Sequence, residues 1–175
     1  MNNYGTGSML KTVRELISTS RLTDEARRNA LVGFAVDEAE TTLNQEREAS
    51  RNPHPQSWES VRLARAILSG EVDRVGAAAV AIHAAQWSLK VAAIADLEPG
   101  NRPVYPAASA AYDVGMAALC ETDWAIRDAV RALLCVSHYA YTVNIKENGY
   151  TVAIAAERAT MDRHEASLRT LLMSD

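Results

Sequence analysis

Apolar side chains recur along most of the chain at steps of three and four residues, the spacing that lays one stripe on an α-helix. Leu10, Val13 and Ile17 open the series behind Ser8, whose hydroxyl can cap a short helix running to about Ser18. This helix is expected to fold over the end of a larger bundle, with residues 1–8 as a flexible tail. Thr23-Asp24-Glu25 is a stronger start, because the hydroxyl can accept an orphan amide and both acids favour the positive end of the helix dipole. Ala26, Ala30, Phe34 and Leu43, with Leu31, Ala35 and Ala39 beside them, then predict a stripe reaching about Ala49. Asp37, Glu40, Arg47 and Glu48 fall on its other face.

Arg51-Asn-Pro-His-Pro-Gln56 is a linker, since each proline biases the residue before it away from the helical region. Ser57 can cap a third helix carrying Val61, Ala64, Ile67 and Leu68, stopped by Gly70. Glu71 is expected to begin a longer fourth helix whose inner row is Val72, Val75, Ala79, Ile82, Gln86, Leu89 and Ala93, ending at Glu98-Pro-Gly. Pro106 suits the first turn of a fifth, alanine-rich helix that lasts to Cys120 and can pack unusually close to its neighbours. Thr122 and Asp123 start a sixth, with Ile126, Val130, Leu133 and Leu134 inward.

Residues 141–154 are ambiguous: β-branched residues flank Asn148-Gly149, the pattern of a hairpin turn. A lone hairpin is marginal without a sheet to join, so the preferred expectation continues the sixth helix to about Glu147, stops it at Gly149 and starts a seventh near Thr151. Ala155, Ala159, Leu168, Leu171 and Leu172 are expected to line that last helix. The fold class predicted is all-α, a single-domain bundle of about six or seven helices with the fourth and fifth central.

Composition adds exclusions. With 18 Lys and Arg against 22 Asp and Glu, the net charge of -4 disfavours a general nucleic-acid surface. Residues 75–89 carry no formal charge but are too short to span a bilayer, and no basic stretch followed by an apolar run opens the chain, so no membrane association and a cytoplasmic location are expected. Cys120 and Cys135 match no zinc or redox spacing and are expected to be reduced.

Recognisable chemistry is sparse. A carboxylate-bridged di-metal bundle needs paired Glu-x-x-His repeats, and the residues three before His54, His83, His138 and His164 are Arg51, Val80, Cys135 and Met161. His164-Glu165 does not continue into H-E-x-x-H, Gly5-Thr-Gly7 fails as a phosphate loop, and no nucleophile elbow occurs. No metal, no cofactor and no catalytic residue are therefore expected. Three polar groups stand on otherwise apolar faces: His83, Asp113 beside Tyr112, and His138. Each reads either as a satisfied core group or as part of a ligand pocket; Asp113 and His138 can pair if the fifth and sixth helices pack antiparallel.

From about Leu43 to Cys120 the order of features resembles the helical immunity proteins of bacterial polymorphic toxin systems, the Imm5-like group. The residues that carry the likeness are Pro53-His-Pro55, Leu63-Ala-Arg-Ala-Ile-Leu-Ser-Gly-Glu71, Ala81-Ile-His-Ala-Ala85 and Ala107-Ala-Ser-Ala-Ala-Tyr-Asp-Val-Gly115. The resemblance implies a non-enzymatic protein that neutralises a toxin by binding it. The acidic balance is compatible with covering a basic cleft, through Asp37, Glu40 and Glu48. A small-ligand or catalytic pocket near His83, Tyr112, Asp113 and His138 is the alternative, and a homo-oligomeric module the third.

Overall fold

The structure, a computed structural model, describes residues 4–51, 53–74, 76 and 104–173. It is an all-α helical bundle, with no strand among the described residues. The elements are α1 (Tyr4–Thr19), α2 (Asp24–Glu48), α3 (Pro55–Leu68), α4 (Val104–Leu119) and α5 (Thr122–Met173). A further helix opens at Arg74, with Asp73 as its cap accepting from the Gly76 amide at 3.2 Å. Glu71 and Val72 belong to the preceding turn, not to this helix as expected. The rest of the expected fourth helix, His83 included, lies outside the described residues.

Local chemistry accounts for the boundaries. Thr23 caps α2 as expected, its hydroxyl accepting from the Ala26 amide at 3.2 Å. α3 begins earlier than the expected Ser57 cap: Pro55 takes the first turn, where its missing N–H costs nothing, and His54 Nδ1 accepts from the Gln56 amide at 3.3 Å. α1 starts at Tyr4 and runs through Gly5 and Gly7 instead of leaving a tail to residue 8. Each glycine costs only about 1 kcal/mol in a helix already nucleated downstream. Gly70 closes α3 with φ 76°, as the sequence predicts.

α5 is two helical arms joined at Gly149, whose φ of 79° and ψ of 174° break the helix. The chain reverses there, since His138 meets Glu157 and Ser137 meets His164 across the turn. The hairpin alternative for 141–154 is not adopted. Without neighbouring strands to join, the segment completes its hydrogen bonds within each helical arm.

α4 lies at the centre, packed against α2, α3 and α5. Its Ala107, Ala110, Ala111, Val114, Ala117 and Ala118 are buried, and the bare backbone lets Ser60 of α3 donate its hydroxyl directly to the Ala111 carbonyl at 2.7 Å. α1 covers the end of α5, where Ser20 Oγ donates to the Leu172 carbonyl at 2.6 Å. The buried apolar residues form one contiguous cluster.

Two stripes differ from expectation. On α2 the buried row is Leu31, Val32, Ala35, Val36, Ala39 and Leu43, leaving Phe34 and Ala30 at its margin. On the second arm of α5 it is Ala153, His164, Leu168 and Leu172, whereas Ala155, Ala159 and Leu171 are exposed. Both rows are rotated so that a polar residue, Glu46 on α2 and His164 on α5, enters the interior at 0% exposure. Among the described residues no helix is long and apolar enough to cross a membrane.

Candidate functional site

α2 and the two arms of α5 diverge to leave a cleft of about 420 Å³. Glu38, Thr41, Thr42, Gln45 and Arg51 line one side; Tyr139, Ala140, Val143 and Asn144 of the first arm and Thr160 and Arg163 of the second line the other. A guanidinium–carboxylate pair stands at each end. Arg163 closes on Glu38 through Nη1 and Nη2 at 2.9 and 2.8 Å. Arg51 closes on Glu46 through Nε at 3.0 Å and Nη2 at 2.8 Å.

Interior groups hold both ends in place. His164 Nε2 lies 3.1 Å from Glu38 Oε2, and its Nδ1 lies 3.4 Å from Ser137 Oγ. Burial tends to raise the Glu38 carboxyl, but hydrogen bonds from His164 and Arg163, together with their charge, outweigh it and hold the group down at about 2. At the other end Tyr139 hydrogen-bonds Glu46, and burial followed by that carboxylate pushes the phenol well above its usual range. Ser50, in the left-handed region at φ 60°, ends α2 and turns Arg51 back so that its amide reaches the Glu46 carbonyl at 2.9 Å.

Ser137, His164 and Glu38 are linked in the order of a hydrolytic triad, yet the chemistry is different. Ser137 Oγ donates its proton to the Leu133 carbonyl at 3.0 Å and is 1% exposed, so it faces no space where a substrate can stand. The chain of bonds instead fixes the Glu38 carboxylate and, through it, Arg163.

The residues singled out from sequence are placed elsewhere. Asp37 and Glu40 both pair with Arg65 of α3, Asp37 at 2.8 Å, and so tie α2 to α3 across a solvent-facing edge. Glu48 is exposed in the last turn of α2. Asp113 and His138 are not partners. His138 Nδ1 meets Glu157 at 3.2 Å and its ring stacks on Tyr141. Asp113, 2% exposed, lies 3.6 Å from Arg131 and accepts from the Cys135 thiol at 3.8 Å. Burial pushes its carboxyl up to about 7, Asp128 adds to the rise, and Arg131 and the Cys135 thiol oppose it. Tyr112 is half-buried beside it on α4. The Asp113 Oδ1 and Ser109 Oγ atoms, one turn apart, have no hydrogen-bond partner among the described residues.

Both cysteines are free thiols, and burial, then the Asp113 charge, pushes Cys135 up to about 12, far from a reactive thiolate. No group of three or more metal-ligating side chains occurs among the described residues.

Glu38, Glu46, Arg163 and His164 were not singled out from sequence. The available signal was position: Glu46 falls three residues after Leu43 and His164 four before Leu168, each on an apolar stripe. Comparison with known protein families, curated proteins and solved structures finds no match to this chain.

Proposed function

We propose that this chain is a binding protein that takes a small polar ligand in the cleft between α2 and the α5 arms. The observation that carries this is the support behind the cleft: two fully buried ionisable side chains, His164 and Glu46, serve to hold the guanidiniums at its two ends. Burying such groups is costly unless every bond is made, and the bonds here converge on donors at the cleft ends. Binding is favoured over catalysis because the one triad-like chain of groups among the described residues, Ser137 to Glu38, has its hydroxyl turned into the core. A mixture of small polar compounds should shift the amide resonances of Thr41, Gln45 and Asn144 in the wild-type protein and not in Ala140→Trp, which fills the cleft. Shifts clustered around Asp113 instead would move the site to α4.

We propose as a second reading the neutralisation of a protein toxin, supported by the exposed acids on α2: the Asp37 side chain remains 62% exposed while it bridges Arg65. Charge reversal at Asp37 and Glu40 also severs the bridges to α3, so Glu48→Lys is the cleaner probe. It should weaken binding to a toxin encoded beside this chain's gene and leave the cleft resonances unmoved. Full affinity in Glu48→Lys, or a neighbouring gene of biosynthetic type, argues against this reading.

A further inference from the structure

Two threonine hydroxyls that reach the cleft surface have their protons already engaged: Thr41 Oγ1 donates to the Asp37 carbonyl at 2.9 Å and Thr160 Oγ1 to the Ala156 carbonyl at 2.9 Å, whereas Thr42 is buried and offers a ligand nothing. A hydroxyl whose proton is engaged can only accept from a ligand. Asn144 differs: one amide proton goes to the Ala140 carbonyl at 2.8 Å and its Oδ1 accepts from Asn148 Nδ2 at 3.1 Å, which leaves its second N–H to donate, and the Gln45 carboxamide in the same lining can both donate and accept. The guanidiniums at the ends are the reverse case, since arginine has donors and no acceptor. Arg163 meets Glu38 with Nη1 and Nη2, which leaves Nε; Arg51 meets Glu46 with Nε and Nη2 and also hydrogen-bonds Tyr139, which still leaves N–H donors on its guanidinium.

The cleft therefore presents donors at its ends and, between them, the threonine acceptors together with the Asn144 N–H and the Gln45 carboxamide. Its two ion pairs lie at Glu38 and Glu46, about 12 Å apart at the helical rise. Val136, Ala140 and Val143 supply an apolar wall to the middle. A molecule that satisfies this pattern has acceptors at its ends and both donors and acceptors, as an amide has, at its centre. Carboxylate ends suit guanidinium best, because charge-assisted hydrogen bonds are the stronger ones and a second carboxylate can take the remaining edge of the fork.

Resting on the small-ligand reading of the cleft, we infer that its ligand class is linear dicarboxylates with amide groups, which both donate and accept, between the two acids, as in short peptides with a free acid at either end. The opposite pattern is disfavoured. A polyamine brings donors to the arginines, which cannot accept, and a simple alkane dicarboxylate leaves the threonine lone pairs facing methylene.

The test titrates the full chain with S-methylglutathione, which has acids at both ends and amide N–H groups between, with suberate, which has only the acids, and with spermidine. Binding is read from the amide resonances of Thr41, Gln45 and Asn144. S-methylglutathione should bind about tenfold more tightly than suberate, the worth of one well-made hydrogen bond, and spermidine should leave the cleft resonances in place. Thr160→Val keeps the side-chain shape and removes the acceptor; it should weaken S-methylglutathione by several-fold and leave suberate unchanged. Suberate binding as tightly as S-methylglutathione, or spermidine binding in the cleft, overturns the ligand class while the cleft remains a site. The same holds if other polar compounds move these resonances and none of the three does. If nothing moves them, the class and the site fall together.

Discussion

Arg28 of α2 donates from Nη2 to the Ala118 carbonyl of α4 at 2.7 Å, and the same guanidinium reaches the Ala117 and Cys120 carbonyls at 3.2 and 3.1 Å. The last turn of a helix has carbonyls without intrahelical partners and carries the negative end of its dipole, so a buried cation fits there both by hydrogen bonding and by charge. Arg28 is 5% exposed, and burial is the main cause lowering its pKa.

Arg28→Ala should therefore destabilise the bundle by roughly 2–4 kcal/mol, because several buried acceptors lose their donor at once. Arg28→Lys should recover only part of this, since an ammonium cannot reproduce the planar fork that spans adjacent carbonyls. Urea unfolding of both variants checks it; a lysine variant as stable as wild type would show that charge alone suffices.

Glu38 and Asp113 give opposite pH dependences. Glu38 has its folded pKa depressed to about 2, so its stabilising contribution is present above the unfolded carboxylate value near 4.3 and is lost as pH falls toward 2. Glu38→Gln should cost roughly 1–3 kcal/mol at pH 7, with the gap to wild type closing between about pH 4 and pH 2. Thermal midpoints across that range measure the closure.

Asp113 is the converse case, with its folded pKa raised to about 7. Below the unfolded value near 3.9 the group is protonated in both states and costs nothing; between there and 7 the folded state resists ionisation and stability falls. Relative to wild type, Asp113→Asn should gain stability steadily from about pH 4 to pH 7 and no further above it. The groups facing it, Ser109 on its own helix and Asp128, Arg131 and Cys135 on α5, are unchanged in that variant, so a flat difference across the range would refute the assignment.

Features that depend on local backbone chemistry were legible in the sequence: the Thr23 cap, the Gly70 stop and the break at Gly149. So was the central alanine-rich helix, because bare side chains and a single charged residue, Asp113, point inward together. The stripe on the last helix was misplaced because Ala155 and Ala159 repeat at the same helical spacing as the truly buried row, and alanine carries little burial signal. His164 carries no apolar signal, yet it is buried as fully as Leu168 and Leu172. The cleft was not legible at all. One of its two ion pairs joins Glu38 to Arg163 across 125 positions, and that register exists only once the chain reverses at Gly149.

Ser50 holds φ at 60°, the left-handed region that costs a residue with a Cβ roughly 1 kcal/mol. Ser50→Gly should stabilise by a few tenths to about 1 kcal/mol, the gain being reduced by the extra freedom of glycine in the unfolded chain. Because Ser50 directs Arg51 onto Glu46, the Arg51 side-chain resonances should keep their chemical shifts. A midpoint in urea at or below that of wild type would show that Ser50 makes a compensating contact.

Gly149 is the position on which the site depends most. Its φ of 79° with ψ of 174° lies in a region essentially reserved for glycine, although nothing lies within 4 Å of where a Cβ would stand. The penalty of Gly149→Ala is thus conformational and not steric, on the order of 1–3 kcal/mol. Relaxing that strain by continuing the helix would carry the second arm away from the first and separate His164 from Ser137, His138 from Glu157 and Arg163 from Glu38. The expected outcome is a lower thermal midpoint together with weakened amide protection in residues 150–164, while α3 and α4 keep theirs. Hydrogen exchange resolves the two possibilities. Loss of protection spread evenly over the bundle would mean that the α5 arms fold only as one unit with the rest. Loss confined to the second arm would identify the reversal as a separable element that positions the Arg163 end of the cleft.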